Sequence, residues 1–301
     1  MSWFQEVGLD EVHRRGVYGA GVGVAVLDTG LYPHPDFGNR ITAFYDALKK
    51  KDSPYDDASH GTHVAGLIGG DGSASGGRYI GAAPACSLIG VKVLNHQGNG
   101  MIPDVLIGLN WILENKTKYN IRILNISVGT KGDTLADEDS VLVKAVEEVW
   151  NAGIVVVAAA ANNGPLPGSI GSPGISRKII TVGASNDYVP IESRGRKLKN
   201  YSGRGPTASC IRKPDIVAPG AKMISCNVPN SANRNLYAVK SGTSMATPVV
   251  SGAIALLLSR YPEMTTREVK IRLKESAVDL GLPGNQQGWG QLDAGRLVFG
   301  S

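Results

Sequence analysis

Val22-Gly-Val-Ala-Val-Leu-Asp28-Thr-Gly30 is a short apolar run that stops at a carboxylate and a turn. Val22 to Leu27 is too short for a helix and rich in β-branched residues, which reads as a buried strand. Ser87 to Leu94, Ile121 to Val128, Ile154 to Ala160 and Lys178 to Ala184 repeat that pattern. Helical periods lie between them. One carries Ile102, Val105, Leu106, Leu109, Ile112 and Leu113, with Pro103 placed for a first turn. Another carries Val141, Leu142, Ala145, Val146, Val149 and Trp150 and stops at Asn151-Ala-Gly153, a cap signal. Alternating strands and crossover helices predict an α/β fold, a mainly parallel β-sheet with helices on both faces. With no repeat or low-complexity linker, a single domain over 1–301 is expected. Binding sites in such sheets gather at the carboxyl ends of strands. Asp28 and the segment Asn125 to Val128 stand there. Asp71 to Arg78 and Asp187 to Tyr201 read as mobile surface loops.

Composition narrows the function. The 301 residues carry 39 glycines, 6% aromatics and a formal charge of only +5. No run of five or six like charges occurs, and Arg196-Lys-Leu-Lys199 reads as a solvated loop, so nucleic acid is not an expected partner. Ile154 to Ala161 and Ala253 to Leu258, the longest apolar stretches, fall short of the roughly 20 residues a membrane span needs. The first eleven residues lack the basic and apolar regions of a secretory signal. Cys86, Cys210 and Cys226 are an odd number without a CxxC pair, which leans toward a reducing, cytoplasmic location. Secretion would require a signal and a pro-segment to have been removed. A monomer is expected.

Three remote segments carry chemistry. A serine hydroxyl is a poor nucleophile at neutral pH unless an imidazole takes its proton and a carboxylate orients that imidazole. Asp28 ends the first apolar run. Ser59-His60-Gly-Thr-His63-Val-Ala-Gly66 offers two imidazoles, and Lys240-Ser-Gly-Thr-Ser244-Met-Ala-Thr-Pro248 runs from glycine into an apolar helix. A serine in a first helical turn lies near unpaired backbone N–H groups that suit an oxyanion. The plainer readings are that Ser244 or Thr243 only caps its helix and that Asp28 only caps a strand end. His60 and His63 also have the spacing of metal ligands, but the HExxH glutamate is missing and no third ligand stands nearby. Asn162, just past the run Ile154 to Ala161, offers a side-chain amide to a developing oxyanion. Gly19-Ala-Gly21-Val-Gly23 is not a dinucleotide fingerprint, because its glycines precede the strand instead of following it.

The segments around Asp28, His60 and Ser244, in that chain order, resemble the subtilisin-like serine proteases (subtilases), from about residue 10 to about residue 298. The resemblance implies a serine endopeptidase acting through an acyl-enzyme. It gives the base role to His60, the first histidine of its motif, and the oxyanion role to Asn162 together with the Ser244 N–H. Ala161 stands where the family usually has glycine. Peptide substrate is expected as an added strand between Asn99-Gly100-Met101 and Ser127-Val128-Gly129, with Thr130 in place of a second glycine. Gly171 matches the base of the first specificity pocket. The lack of charge there implies broad specificity with a preference for large apolar residues before the cut. A catalytically silent binding module is the alternative reading, and an esterase is a smaller shift in the same chemistry. No cofactor is required and no metal ligands are assigned. Residues 69–79 do not resemble the family's calcium loop: calcium takes about six to eight oxygens, and Asp71 is the only carboxylate here. A weak structural cation is allowed but not expected. No pro-segment is expected within this chain.

Overall fold

The computed structural model describes residues 2–129, 138–193, 196–231 and 234–300. Helices α1 (Trp3–Glu6) and α2 (Leu9–Arg14) lead into β1 (Gly23–Asp28), which is buried along its whole length. β2 (Ile41–Asp46), α3 (His60–Gly69), β3 (Ser87–Lys92), α4 (Ile102–Asn115) and β4 (Ile121–Ile126) follow. Next come α5 (Val141–Asn151), β5 (Val155–Ala159) and β6 (Ile180–Ala184). A hairpin of β7 (Ile191–Ser193) and β8 (Arg196–Leu198), the short β9 (Ile216–Ala218), and a hairpin of β10 (Met223–Cys226) and β11 (Tyr237–Lys240) come after. α6 (Thr243–Arg260), α7 (Thr266–Ser276), α8 (Gly284–Gln287) and α9 (Ala294–Phe299) complete the chain.

Seven strands join in the order β2-β3-β1-β4-β5-β6-β9, every neighbouring pair parallel. From β1 the chain goes to the edge strand β2, returns to β3 beside β1, then crosses to β4 on the other side. The carboxyl ends of β1 and β4 therefore flank the point where strand order reverses, the usual crevice of such sheets. α3 and α6 pack together on one face, and α4 and α5 pair on the other. α6 is buried on all sides, with small hydroxyl residues among its apolar ones, because it lies across several strands and under α3 and α9. Residues 243–258 of α6 are all buried except Ser244.

The expected strands are present, shorter by one or two residues at their ends or shifted by one. β2 was not expected. It is an edge strand whose Ile41, Thr42, Ala43 and Tyr45 are not fully buried, so its sequence lacks the continuous apolar run of its neighbours. β9 is too short to show a period. Val141 and Ile102 belong to the helical apolar patterns yet are exposed in the first turns of α5 and α4. Segment 187–201 is not a plain surface loop: it contains the β7–β8 hairpin, and both Asp187 and Tyr201 are buried.

Gly252 on α6 sits against the turn before β3. An added Cβ would lie 2.5 Å from the Ala82 Cβ and 3.2 Å from the Ile68 carbonyl oxygen. Gly252→Ala is expected to destabilise the protein by about 1–3 kcal/mol through overpacking. The readout is a lower urea midpoint at constant slope; an unchanged midpoint contradicts this packing.

Candidate active site

The start of α3 is fixed to the exit of β1 by one buried carboxylate. Ser59, the cap residue, has φ 65° and makes no side-chain cap of its own. Asp56 supplies the acceptors instead. Its Oδ1 accepts from the Ala58 and Ser59 amides at 3.0 and 2.9 Å, and its Oδ2 from the Thr62 amide and hydroxyl at 2.9 and 2.7 Å. The Thr29 hydroxyl donates to Asp56 Oδ1 at 2.9 Å and accepts from the Gly61 amide at 2.9 Å. Burial alone would raise the Asp56 carboxyl pKa, but the Thr62, Ala58 and Thr29 donors outweigh it and hold it low. The backbones touch: a Cβ on Gly61 would lie 2.2 Å from the Gly30 carbonyl oxygen. Lys92, buried at the end of β3, fixes the same corner by donating to the carbonyls of Thr29 (2.5 Å) and Leu94 (2.7 Å) and to Asp57 (2.7 Å).

That junction brings His60 to Asp28. The His60 Nδ1 is 2.7 Å from Asp28 Oδ1, which also accepts from the Thr29 amide at 2.7 Å. Asp28 is fully buried, whereas the His60 side chain is 28% exposed. An ionised carboxylate only accepts, so Nδ1 carries the proton and Nε2 holds the free lone pair. A base needs that tautomer.

On α6 the cap is supplied from another segment. Gly242 has φ 142°, and the Asn162 Oδ1 accepts from the Thr243 amide at 3.0 Å and hydroxyl at 3.2 Å. Ser244 is therefore not needed as a cap. Because the Thr243 N–H can only donate, it fixes Oδ1 and leaves the Asn162 Nδ2 as the spare donor. A Cβ on Gly242 would come within 3.1 Å of Nδ2. Ala161 has φ 70°, the left-handed conformation that costs a side chain about 1–2 kcal/mol.

These groups share one cleft of about 870 Å³, lined by His60, Asn162, Ser244, Ser127, Val128 and Gly129 among others. The Ser127 hydroxyl accepts from the Asn125 side-chain amide at 2.9 Å, and the Asn125 Oδ1 accepts from Ser251 of α6 at 2.8 Å, tying the end of β4 to the helix that carries Ser244. A second cavity of about 420 Å³ lies between Gly100 and Met101 on one side and Val128 and Gly129 on the other. Gly171 lines neither cavity. It is buried and donates to the Ala160 carbonyl at 3.1 Å, while its neighbours Ser172 and Pro173 line the second cavity. Thr130 lies outside the described residues.

His63 faces away from this chemistry. Its Nε2 lies 3.2 Å from the Met223 carbonyl and 3.1 Å from that of Ala238, so it holds α3 to the β10–β11 hairpin, not to its own helix. Burial, then the positive charges of Lys240 and His60, push its pKa down to about 3. Asp56, Thr29 and Lys92 went unread in the sequence. Only Lys92 left a signal, as a lone charge inside an apolar strand run.

A model of the subtilase family matches residues 19–290. The chain belongs to the subtilase family. Among subtilases it is 46% identical over 281 residues to serine protease AprX of Bacillus subtilis, covering 88% of this chain and 63% of that protein. It is 35% identical over 292 residues to a thermostable alkaline protease of Halalkalibacterium halodurans, covering 97% and 72% of the two chains. Of the solved subtilase structures, Sphericase superposes with a TM-score of 0.77 at 28% identity, covering 95% of this chain and 97% of that one. A cold adapted subtilisin-like serine proteinase superposes with a TM-score of 0.74 at 28% identity, covering 93% and 90%.

The depressed His63 pKa has a consequence for stability. In the unfolded chain the ring titrates near 6.5, and in the folded chain near 3. Above pH 6.5 it is neutral in both states. Below that the unfolded state takes up a proton first, so stability falls as pH drops toward 3. His63→Gln is expected to be less stable than wild type at neutral pH but to show a shallower decline in melting temperature on acidification. Equal acid slopes would contradict a buried neutral ring.

Proposed function

We propose that the chain is a serine endopeptidase. Ser244 Oγ attacks the scissile carbonyl while His60 Nε2 takes its proton, and the imidazolium then protonates the leaving amine. Water, activated by the same ring, hydrolyses the acyl-enzyme. Asp28 keeps the ring in the working tautomer and offsets its positive charge. The Asn162 Nδ2 and the Ser244 backbone N–H receive the oxyanion, aided by the positive end of α6. The observation that carries this reading is the 2.7 Å bond from His60 to a fully buried Asp28, in a cleft shared with Ser244 and Asn162.

Peptide or protein substrate would lie as an added strand between Gly100–Met101 and Ser127–Gly129. Leu94, Met101, Ile102, Val105, Ile126 and Val128 line the second cavity, which supports a taste for apolar side chains. Gly171 would act from behind that wall, supporting the first specificity pocket and not contacting substrate. The four reacting groups come from one chain, so a monomer suffices, and none of the steps calls on a cofactor. Among the described residues no helix is long and apolar enough to cross a membrane. The three cysteines are free, and Cys86 and Cys226 are buried, which supports a reducing compartment.

Two experiments test the assignment. A serine-directed phosphonate should label Ser244 stoichiometrically and abolish peptide turnover, as should Ser244→Ala with its fold intact; a silent binding module would take no label. Asn162→Ala should lower kcat by about 10²–10³, the loss measured for one such donor in a subtilisin. A change confined to KM would remove its oxyanion role.

A further inference from the structure

Behind α3, away from the cleft, three side chains of metal-ligating type from two remote segments converge in the protein interior. Among the described residues His34, Asp36 and Cys226 bring one ligand atom each to within 4.8 Å of the others. All three are buried, and none lines the catalytic cleft. The His34 Nδ1 stands 3.8 Å from Asp36 Oδ1, and the Cys226 Sγ stands 3.7 Å from Asp36 Oδ2. Bonds of about 2.0–2.3 Å to a tetrahedral ion put ligand atoms about 3.3–3.8 Å apart. Two of the three separations have that scale, each to a different Asp36 oxygen, and the set as a whole stays within 4.8 Å.

The orientation of the imidazole adds a second argument. The His34 Nε2 bonds to the Leu236 carbonyl at 2.9 Å, which fixes the proton there and leaves Nδ1 with its lone pair. A metal-binding histidine is held this way by its outer partner. That lone pair now accepts from the Asp36 amide at 3.1 Å, so binding would exchange a backbone hydrogen bond for a metal bond. The Asp36 carboxylate is oriented by the Ala74 amide at 2.9 Å and by the Tyr237 hydroxyl at 3.0 and 2.8 Å from its two oxygens.

The geometry points to a buried site for a zinc-like divalent cation held by His34 Nδ1, Asp36 and the Cys226 thiolate. Coordination releases the thiol proton, and the thiolate and carboxylate together neutralise the two positive charges. A buried site needs that neutrality. The mixed nitrogen, oxygen and sulfur set selects zinc over calcium, which takes oxygen ligands only. Cys226 also packs on α3: a Cβ on Gly66 would lie 2.7 Å from its sulfur. The ion would tie the β10–β11 hairpin to the turn that carries His34 and Asp36, beside the helix whose first residue is His60. The turn 73–75 covers Asp36, which accepts from the Ala74 amide and the Ser73 hydroxyl.

The test uses the full chain with Cys210→Ser, to remove the exposed thiol, and Ser244→Ala, to prevent autolysis. One equivalent of Co²⁺ should produce a sulfur-to-cobalt charge-transfer absorption that Zn²⁺ abolishes by displacement. Adding Cys226→Ser should erase the absorption and weaken Zn²⁺ binding at least about tenfold, and His34→Gln should weaken it similarly. Absence of stoichiometric binding, or binding that survives Cys226→Ser and is lost with His60→Ala, overturns the proposal. If the Cys226 variant does not fold, alkylation of the parent chain decides. Zn²⁺ should slow iodoacetamide modification of Cys226 relative to buried Cys86, and equal slowing or none overturns it.

Discussion

A carboxylate withdrawn from water must be surrounded by donors, and Asp56 meets that demand with the first turn of α3 and the hydroxyl of Thr29. This one cluster converts a helix start and a strand end into a rigid corner. Helix first turns carry unsatisfied amides. Here those amides are satisfied by a residue of the preceding segment, which leaves His60, the first residue of the helix, free to turn toward Asp28. The contact is close because Gly30 and Gly61 carry no side chains, and a Cβ on either would collide with backbone. Lys92 reinforces the corner from the neighbouring strand.

The second helix start obeys the same logic. Asn162 caps α6 through Thr243, so Ser244 is left partly exposed at the one break in an otherwise buried stretch of helix. Two borrowed caps therefore present the two proposed reacting groups. Their electrostatics are also arranged in advance. Burial keeps His63 neutral three residues from His60, so the imidazolium proposed to form on His60 meets no second positive ring on its own helix.

Much of this was legible in the sequence. The apolar runs gave the central strands because strands buried on both faces leave continuous hydrophobic stretches. The motifs around Asp28, His60, Asn162 and Ser244 pointed to residues that now meet at one junction or line one cleft. What stayed hidden depends on contacts between segments. β2 is a half-covered edge, so its residues need not be apolar. Asp56 looks like any turn aspartate until the amides it receives are seen, and the partners of His63 lie on a hairpin remote in sequence. The gathering of His34, Asp36 and Cys226 depends on the same hairpin, and no local spacing announces it.

The Thr29–Asp56–Gly61 corner is the support that holds the His60 ring on Asp28. The direct measurement is the far-downfield proton NMR resonance of the His60 Nδ1–H, recorded for the parent chain and for Thr29→Val. Valine keeps the shape and removes the hydroxyl that joins Asp56 to the Gly61 amide. A sharp resonance in the parent that broadens or vanishes in the folded variant is the predicted result; the same sharp resonance in both would contradict the account.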